Sequence, residues 1–242
     1  GACVGNEYPG NPSVNLALRT WPVHEQLGCI FVHFAHEGAP PSWHLPDYDT
    51  EGWTRPITKV ITLKGHVQDV AENAVDFGHF AAVHQYSNLE DPLLRIDGPR
   101  MQSKFGFSRR NPLLPWGEVH SVFDTMVHGL GLSVTDLRSP RLGIHYRVLL
   151  TATQLDADTM SFGIGVSSES PPAFVPRALL RLPVPWGLAA SAQIKLLHPI
   201  IVADVLQDKE IWEHRTPMDT PALIPGDGPI AKYRRWVKQF YA

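Results

Sequence analysis

The sequence predicts an α+β fold in which a curved antiparallel sheet is closed over by one long C-terminal helix. Three observations predict it. Between residues 103 and 168, β-rich stretches recur at short spacing, separated by Gly, Pro or Asp turns, and strands joined by short turns pair antiparallel. A proline-rich crossing, 171–185, then leads into a helical segment over 186–215. Sheet and helix together enclose a hollow, apolar interior.

Taken in order, the chain before residue 54 is punctuated by Gly5, Pro9-Gly10, Pro12, Pro22, Gly38, Pro40-Pro41 and Pro46. Two runs between these turn residues read as strands: 16–23 alternates apolar and polar side chains, and 28–34 is β-branched and aromatic. A third strand is expected at 54–63, followed by about twenty proline-free positions of helical character. Strands follow at 103–108, 118–127, 130–137, 142–154 and 160–168, with Asp-Ala-Asp-Thr at 156–159 as a hairpin turn. Pro199 removes a backbone donor from the long helix and is expected to kink it. A shorter helix is expected at 230–240.

Composition narrows the function. With 242 residues, 43% hydrophobic and 19% charged, the chain can bury one large core or two small ones. A net charge of -3, with Arg109-Arg110 and Arg234-Arg235 only short surface pairs, gives no basic patch for nucleic acid. Cys3 and Cys29 are too few for a disulfide framework or a cysteine-rich zinc site, which points to a reducing, cytoplasmic setting. No membrane span is expected, because Pro183, Pro185, Pro199 and charges interrupt the apolar runs. The N-terminus carries no signal pattern and starts at Gly1-Ala2-Cys3 as though in mid-domain.

The chemistry concentrates in 72–84, which holds Glu72, Asn73, Asp76, His79 and His84. Two imidazoles and one carboxylate make a face that holds Fe(II) for oxygen chemistry. His79 and His84 are five apart, and Phe80 stands where a zinc protease needs Glu. In a regular helix their directions differ by about 140°, so a π-bulge, or a helix ending between them, is needed to bring both to one point. Asp76, three residues before His79, can accept from its outer ring nitrogen. The alternative is a pair of ordinary histidines on a half-buried helix.

A third ligand is available in the late helix. Asp208 falls on an apolar stripe with Ile201, Val205, Ile211 and Trp212, where a carboxylate must be paired or bound to metal. Lys209, His214 and Arg215 are alternative partners, and Asp204 competes for the ligand role. His33 and His36 near Cys29 lack ligand spacing. The glycines of 163–168 match neither a nucleophile elbow nor a dinucleotide fingerprint and read as a closely packed strand. Phe105, Phe107, Trp116, Phe123, Met126 and Phe162 can line a pocket or fill a core.

The run Glu-Asn-x-x-Asp-x-x-His-x-x-x-x-His at 72–84 resembles the iron-binding signature of Rieske non-haem iron oxygenases. The run Leu206-Gln207-Asp208-Lys209-Glu210-Ile211-Trp212-Glu213-His214-Arg215-Thr216 resembles the segment carrying the third ligand. With Tyr233-Arg234-Arg235-Trp236 and Phe240-Tyr241, it is similar to the oxygenase component of 3-ketosteroid 9α-hydroxylase and, more loosely, to cholesterol 7-desaturases. The resemblance implies a helix-grip, START-like catalytic domain at 46–242, preceded by a C-terminal remnant of a Rieske domain at 1–45. It implies that His79, His84 and Asp208, rather than Asp204, bind a mononuclear Fe(II), that Asp76 links an iron ligand to the electron donor, and that Asn73 sits beside the metal.

The same resemblance implies O2-dependent hydroxylation or desaturation of an apolar, steroid-like substrate. Electrons would come from NADH through a reductase or ferredoxin and a [2Fe-2S] cluster, which in a homotrimer belongs to the neighbouring subunit facing Asp76. The cluster needs Cys-x-His and Cys-x-x-His, and neither occurs here. The chain is therefore expected to be a truncated or proteolysed product, or a fragment needing a partner, and inactive alone. The rival readings are a metal-free lipid or sterol binding protein of the same fold and a zinc-dependent hydrolase.

Overall fold

The computed structural model describes residues 17–35, 38–110, 117–170, 185–216, 218 and 220–241. Contacts divide the chain into two compact units, 1–49 and 50–242. In the first, strands β1 (Val23–Gln26) and β2 (Cys29–Val32) pair antiparallel, Val23 opposite Val32 and Gln26 opposite Cys29. The connecting Leu27-Gly28 has φ of 54° and 73°, the left-handed pair that a tight two-residue hairpin demands. Gln26 ties this hairpin to the next loop, its Nε2 donating to Pro46 O (2.6 Å) and its Oε1 accepting from the Tyr48 N–H (2.7 Å). Both expected strands need correcting in their described parts. The first begins only at Val23, after Pro22, which has no N–H for a ladder, and the second loses Gly28 to the turn and ends at Val32.

The second unit carries strands β3 (Ile57–Lys64), β4 (Tyr86–Asp97), β5 (Arg100–Arg110), β6 (Glu118–His128), β7 (Leu132–Ser139), β8 (Ile144–Gln154) and β9 (Thr159–Ser168). They form one antiparallel sheet in the order β3-β9-β8-β7-β6-β5-β4. Strands β4 to β9 are a meander, and β3 adds to the free edge of β9. The chain from β3 to β4 must therefore pass from one sheet edge to the other. It does so as two short helices, α1 (Val67–Glu72) and α2 (Phe77–Ala82), which carry the 72–84 motif.

The strands expected between 103 and 168 are present, with a 3-10 turn at Pro140–Leu142 delaying the start of β8. Asp156 closes the expected hairpin by accepting from the N–H groups of Asp158 (2.9 Å) and Thr159 (2.7 Å). Gly163 does pack closely: a Cβ there would fall 2.4 Å from Thr151 Oγ1. Strand β4 has no counterpart among the sequence-predicted strands. Asn88 and Asp91 sit at φ 51° and 49°, and the register with β5 shifts between Ser87 and Glu90 and again between Glu90 and Leu93. Bulges on an edge strand let it absorb Pro92 and its acidic neighbours, which mask the strand pattern.

Helix α3 (Trp186–Val205) packs on β9 and continues through Pro199. The regular helix gives way at a 3-10 turn, Leu206–Asp208, before α4 (Lys209–His214). The expectation that Pro199 breaks the apolar run is thus corrected: Trp186–His214 is long and apolar enough to cross a membrane by length and composition. In this fold its Ala190, Ile194, Ile201 and Val202 are buried, whereas Leu188, Leu196 and Ile200 are exposed. Helix α5 (Ile230–Val237) ends in a 3-10 turn, Lys238–Phe240. Tyr233 on α5 donates to Gln68 O (2.6 Å), which holds α1 down, and Trp236 donates to Gly98 O (2.7 Å) in the turn between β4 and β5. Phe162, fully buried on β9, meets Trp212 of α4 edge-on at 5.3 Å; burying such a ring contributes about 1.5–3 kcal/mol.

Candidate metal centre

Helix α1 ends at Asn73, and Asp76 opens α2 by accepting the His79 N–H with its side chain (3.2 Å). The turn between them is held from outside by residues 224–229. Asp227 O accepts the Phe77 N–H (3.2 Å), and Gly228, at φ 83°, lies so close that a Cβ would stand 2.3 Å from Val75 O. Helix α2 stops at Ala82, with Val83 as its cap, so His84 lies beyond the helix end. Of the two routes by which i and i+5 can converge, the fold uses the ended helix.

His79, His84 and Asp208 come together, each offering a ligand atom within 4.8 Å of the others, the one such group among the described residues. The His79 Nδ1–H donates to the backbone carbonyl of Asp76. This corrects the expectation that the Asp76 side chain takes that proton; the carboxylate is occupied in capping α2. The His84 Nδ1–H donates to Gln207 Oε1 (3.2 Å). With both Nδ1 atoms bound outward, these tautomers turn both Nε2 lone pairs to the shared point.

Asp208 is 5% exposed. Its Oδ2 accepts from Asn73 Nδ2 (2.9 Å) and lies 3.4 Å from His84 Nε2, while its Oδ1 is buried without a hydrogen-bond partner. None of the alternative partners reaches it. Lys209 pairs with Glu213, His214 Nδ1 bonds Glu210 O, and Arg215 pairs with Asp69 and Glu72. A buried, unsatisfied carboxylate oxygen is costly, and a cation beside two imidazoles removes that cost. The donor set of two nitrogens and one carboxylate fits ferrous iron. The apolar-stripe argument needs one correction, since Ile211 is 49% exposed.

Burial holds the His79 ring below its ordinary pKa, opposed by the charge of Asp208. Burial acts on His84 in the same sense, but its hydrogen bond to Asp208 and the charges of Asp208 and Asp204 outweigh it and raise the ring. Burial, reinforced by Asp227 and Glu72, raises Asp76 despite its contacts with His79.

The three residues open into a cavity of about 390 Å³. Its wall takes alternate residues of neighbouring strands, Ser121, Phe123 and Thr125 from β6, Thr135 and Leu137 from β7, Tyr146 and Val148 from β8, and so presents one face of the sheet. Two inward hydroxyl pairs satisfy each other, Ser121 with Ser139 (2.5 Å) and Thr125 with Thr135 (2.9 Å). Phe107 and Phe123 line the cavity; Phe105 and Phe162 are core, Met126 is not in the wall, and Trp116 lies outside the described residues, as does His36. His33 bonds Ala39 O and joins no cluster.

Asp204 is engaged elsewhere, accepting from Tyr86 Oη (2.9 Å) and pairing with Arg109 (2.8 Å). Sequence reasoning missed Tyr86 and Gln207 and read Arg109 and Arg234 as surface. Arg234 is in fact largely buried and donates twice to Glu72. Only Gln207 had a legible signal, its place next to Asp208.

Residues 32–241 match the family described as the 3-ketosteroid 9alpha-hydroxylase C-terminal domain. The whole chain aligns at 26% identity with a probable 3-ketosteroid-9-alpha-monooxygenase oxygenase component of Rhodococcus rhodochrous, covering 61% of that protein. It aligns at 28% with cholesterol 7-desaturase nvd 1 of Ciona intestinalis, covering 53%. The chain thus spans somewhat more than half the length of these relatives. Among solved structures, dicamba monooxygenase bound to dicamba superposes with a TM-score of 0.60 at 14% identity, over 99% of this chain and 75% of that one. NdmA of Pseudomonas putida CBB5 (QL mutant with theobromine) gives 0.60 at 16%, over 96% and 63%; both show the fold. The chain belongs to the 3-ketosteroid 9alpha-hydroxylase C-terminal domain family, among the Rieske non-haem iron oxygenases that its 72–84 motif resembles.

Proposed function

We propose that this chain is the oxygen-activating domain of the oxygenase component of a Rieske-type monooxygenase, acting on an apolar, steroid-like substrate. One observation carries the reading: two outward-fixed imidazoles and a buried carboxylate with an orphaned oxygen share one point on the wall of an apolar cavity. We assign His79, His84 and Asp208 as ligands of a mononuclear Fe(II), which when bound supplies the activation of O2 for hydroxylation or desaturation. The other residues position and insulate. Asn73 holds Asp208 by one oxygen, Gln207 and the Asp76 carbonyl set the two tautomers, and Phe80 and Phe107 keep water from the cavity.

Asp76 touches His79 through both carbonyl and carboxylate. We assign it the contact through which electrons arrive from a [2Fe-2S] cluster on a neighbouring subunit of a homotrimer, supplied by an NADH-dependent reductase or ferredoxin in the cytoplasm. Residues 1–45, with the β1–β2 hairpin, are read as the end of a Rieske domain. Neither Cys3 nor Cys29 has a His two or three positions on, so the ligands of the cluster must come from outside this sequence.

Metal analysis tests the reading directly. Wild-type protein should retain close to one iron per chain, and His79→Ala, His84→Ala and Asp208→Ala should each lose it. Full iron in the Asp208→Ala protein removes that residue from the site, and sterol binding by metal-free wild type points to a carrier instead. With iron, reductase and substrate, the 242-residue chain should not turn over repeatedly; sustained hydroxylation overturns the assignment of electron delivery.

A further inference from the structure

We infer that the outer face of α3 docks on the surface of an anionic lipid bilayer. A helix on a protein surface normally turns a polar face to water, and α3 does not. Its exposed residues Leu188, Ala192, Leu196, Pro199, Ile200 and Ala203 recur at the three- and four-residue spacing of one helical face. Leu188, Leu196 and Ile200 are 70%, 73% and 62% exposed. Lys195 is the one charged residue exposed along the helix. The stripe rises over about 22 Å, and a contiguous apolar surface of this kind marks a protein or membrane contact.

Packing decides that α3 would lie on a bilayer and not span it. Its opposite side is committed to the sheet, where Ile194 and Ile201 are buried with Val148 of β8 and Val166 of β9. Lipid can therefore reach only one side of the helix.

Charge decides between a bilayer and a second copy. From Ser170 to Ala203 the chain has no Asp or Glu and carries Arg177, Arg181 and Lys195. A two-fold pairing of this face offers its cations no acid to meet, whereas anionic headgroups complement them. The cavity points the same way. Ile200 belongs both to the exposed stripe and to the cavity wall, which also includes Leu197 and the exposed Arg110. The cavity thus reaches the surface beside the stripe, and docking would hold its opening against the lipid phase in which apolar ligands dissolve. That route for a ligand rests on the cavity being the substrate site; the docking itself does not.

The test is sedimentation of the full chain with vesicles of phosphatidylcholine, either alone or with phosphatidylserine as about a third of the lipid. Analytical ultracentrifugation without lipid accompanies it. Wild type should bind the anionic vesicles at least about tenfold more tightly than the neutral ones and leave them as salt rises. The double variant Leu188→Glu, Leu196→Glu should keep the wild-type melting temperature, since both side chains are exposed, and should lose about tenfold or more in binding. Lys195→Glu should lose about fivefold or more for the anionic vesicles alone. No vesicle binding by wild type, equal binding to both lipids, or undiminished binding by either folded variant overturns the inference. So does a concentration-dependent dimer that the double variant abolishes, which assigns the face to a second copy. Iron content of the same samples reports separately on the oxygenase reading. Vesicle binding without iron retention leaves the docking standing, and iron retention without vesicle binding removes the docking alone.

Discussion

Replacing Glu72 with Ala should cost about 3 kcal/mol and loosen the metal centre as well. Glu72 is 6% exposed and accepts from Arg234 Nε (2.7 Å), Arg234 Nη2 (2.9 Å) and Arg215 Nη2 (3.0 Å). Without it Arg215 keeps Asp69, but Arg234 is left with the Met218 carbonyl alone. Removing one partner of a buried pair costs about 3–5 kcal/mol. The lower figure applies, since the two arginine side chains are 14% and 24% exposed and water can reach them. For a chain of this size, each kcal/mol moves the melting temperature by about 2–4 °C, so the midpoint should fall by roughly 6–12 °C. Circular dichroism at pH 7, with variant and wild type in the same metal state, measures it. The site should respond too, because Asn73 follows Glu72 and holds Asp208; iron affinity should drop about tenfold. A fall of less than about 2 °C refutes the view that this cluster pins α1 to α4 and α5, and Glu72→Gln should lie between the two proteins.

His128 is 2% exposed and is held down to about 4 by burial and by Arg100. Its folded value lies below its unfolded one, so its stability contribution is complete above about pH 6.5 and is lost towards pH 4, by up to about 3 kcal/mol. Denaturation across that range should show the slope, and His128→Gln should flatten it; an unchanged slope places the proton elsewhere. Gly228→Ala forces a Cβ to within 2.3 Å of Val75 O at φ 83°, so a loss of about 3 kcal/mol or more is expected, and a melting temperature equal to wild type would contradict the close approach. Gln207→Leu removes the acceptor for the His84 Nδ1–H and should weaken iron binding by about 10- to 100-fold; an unaltered dissociation constant argues against the tautomer assigned to His84.

The sheet was legible because β5 to β9 obey a local rule: short turns rich in Gly, Pro and Asp between β-rich runs specify antiparallel neighbours. Where the rule fails, as in β4, left-handed Asn88 and Asp91 absorb residues that a regular ladder excludes, and only pairing with β5 supports them. Arg109 and Arg234 were illegible for a related reason. Their partners, Asp204 and Glu72, lie far away in sequence, and an arginine pair looks the same whether it meets water or a buried acid.

The sequence by itself determined which residues could make the metal centre, since the spacing of Glu72, Asn73, Asp76, His79 and His84 and the late carboxylate are properties of residue order. Tertiary structure alone brings those residues together, or keeps them apart. It ended α2 before His84, tightened the helix at Leu206–Asp208, set Asp204 against Tyr86 and Arg109 outside the three-residue group, and placed Asp208 beside two imidazoles. The physical reason is that a buried carboxylate is defined by its partners, and here those partners arrive from strands and helices distant in sequence.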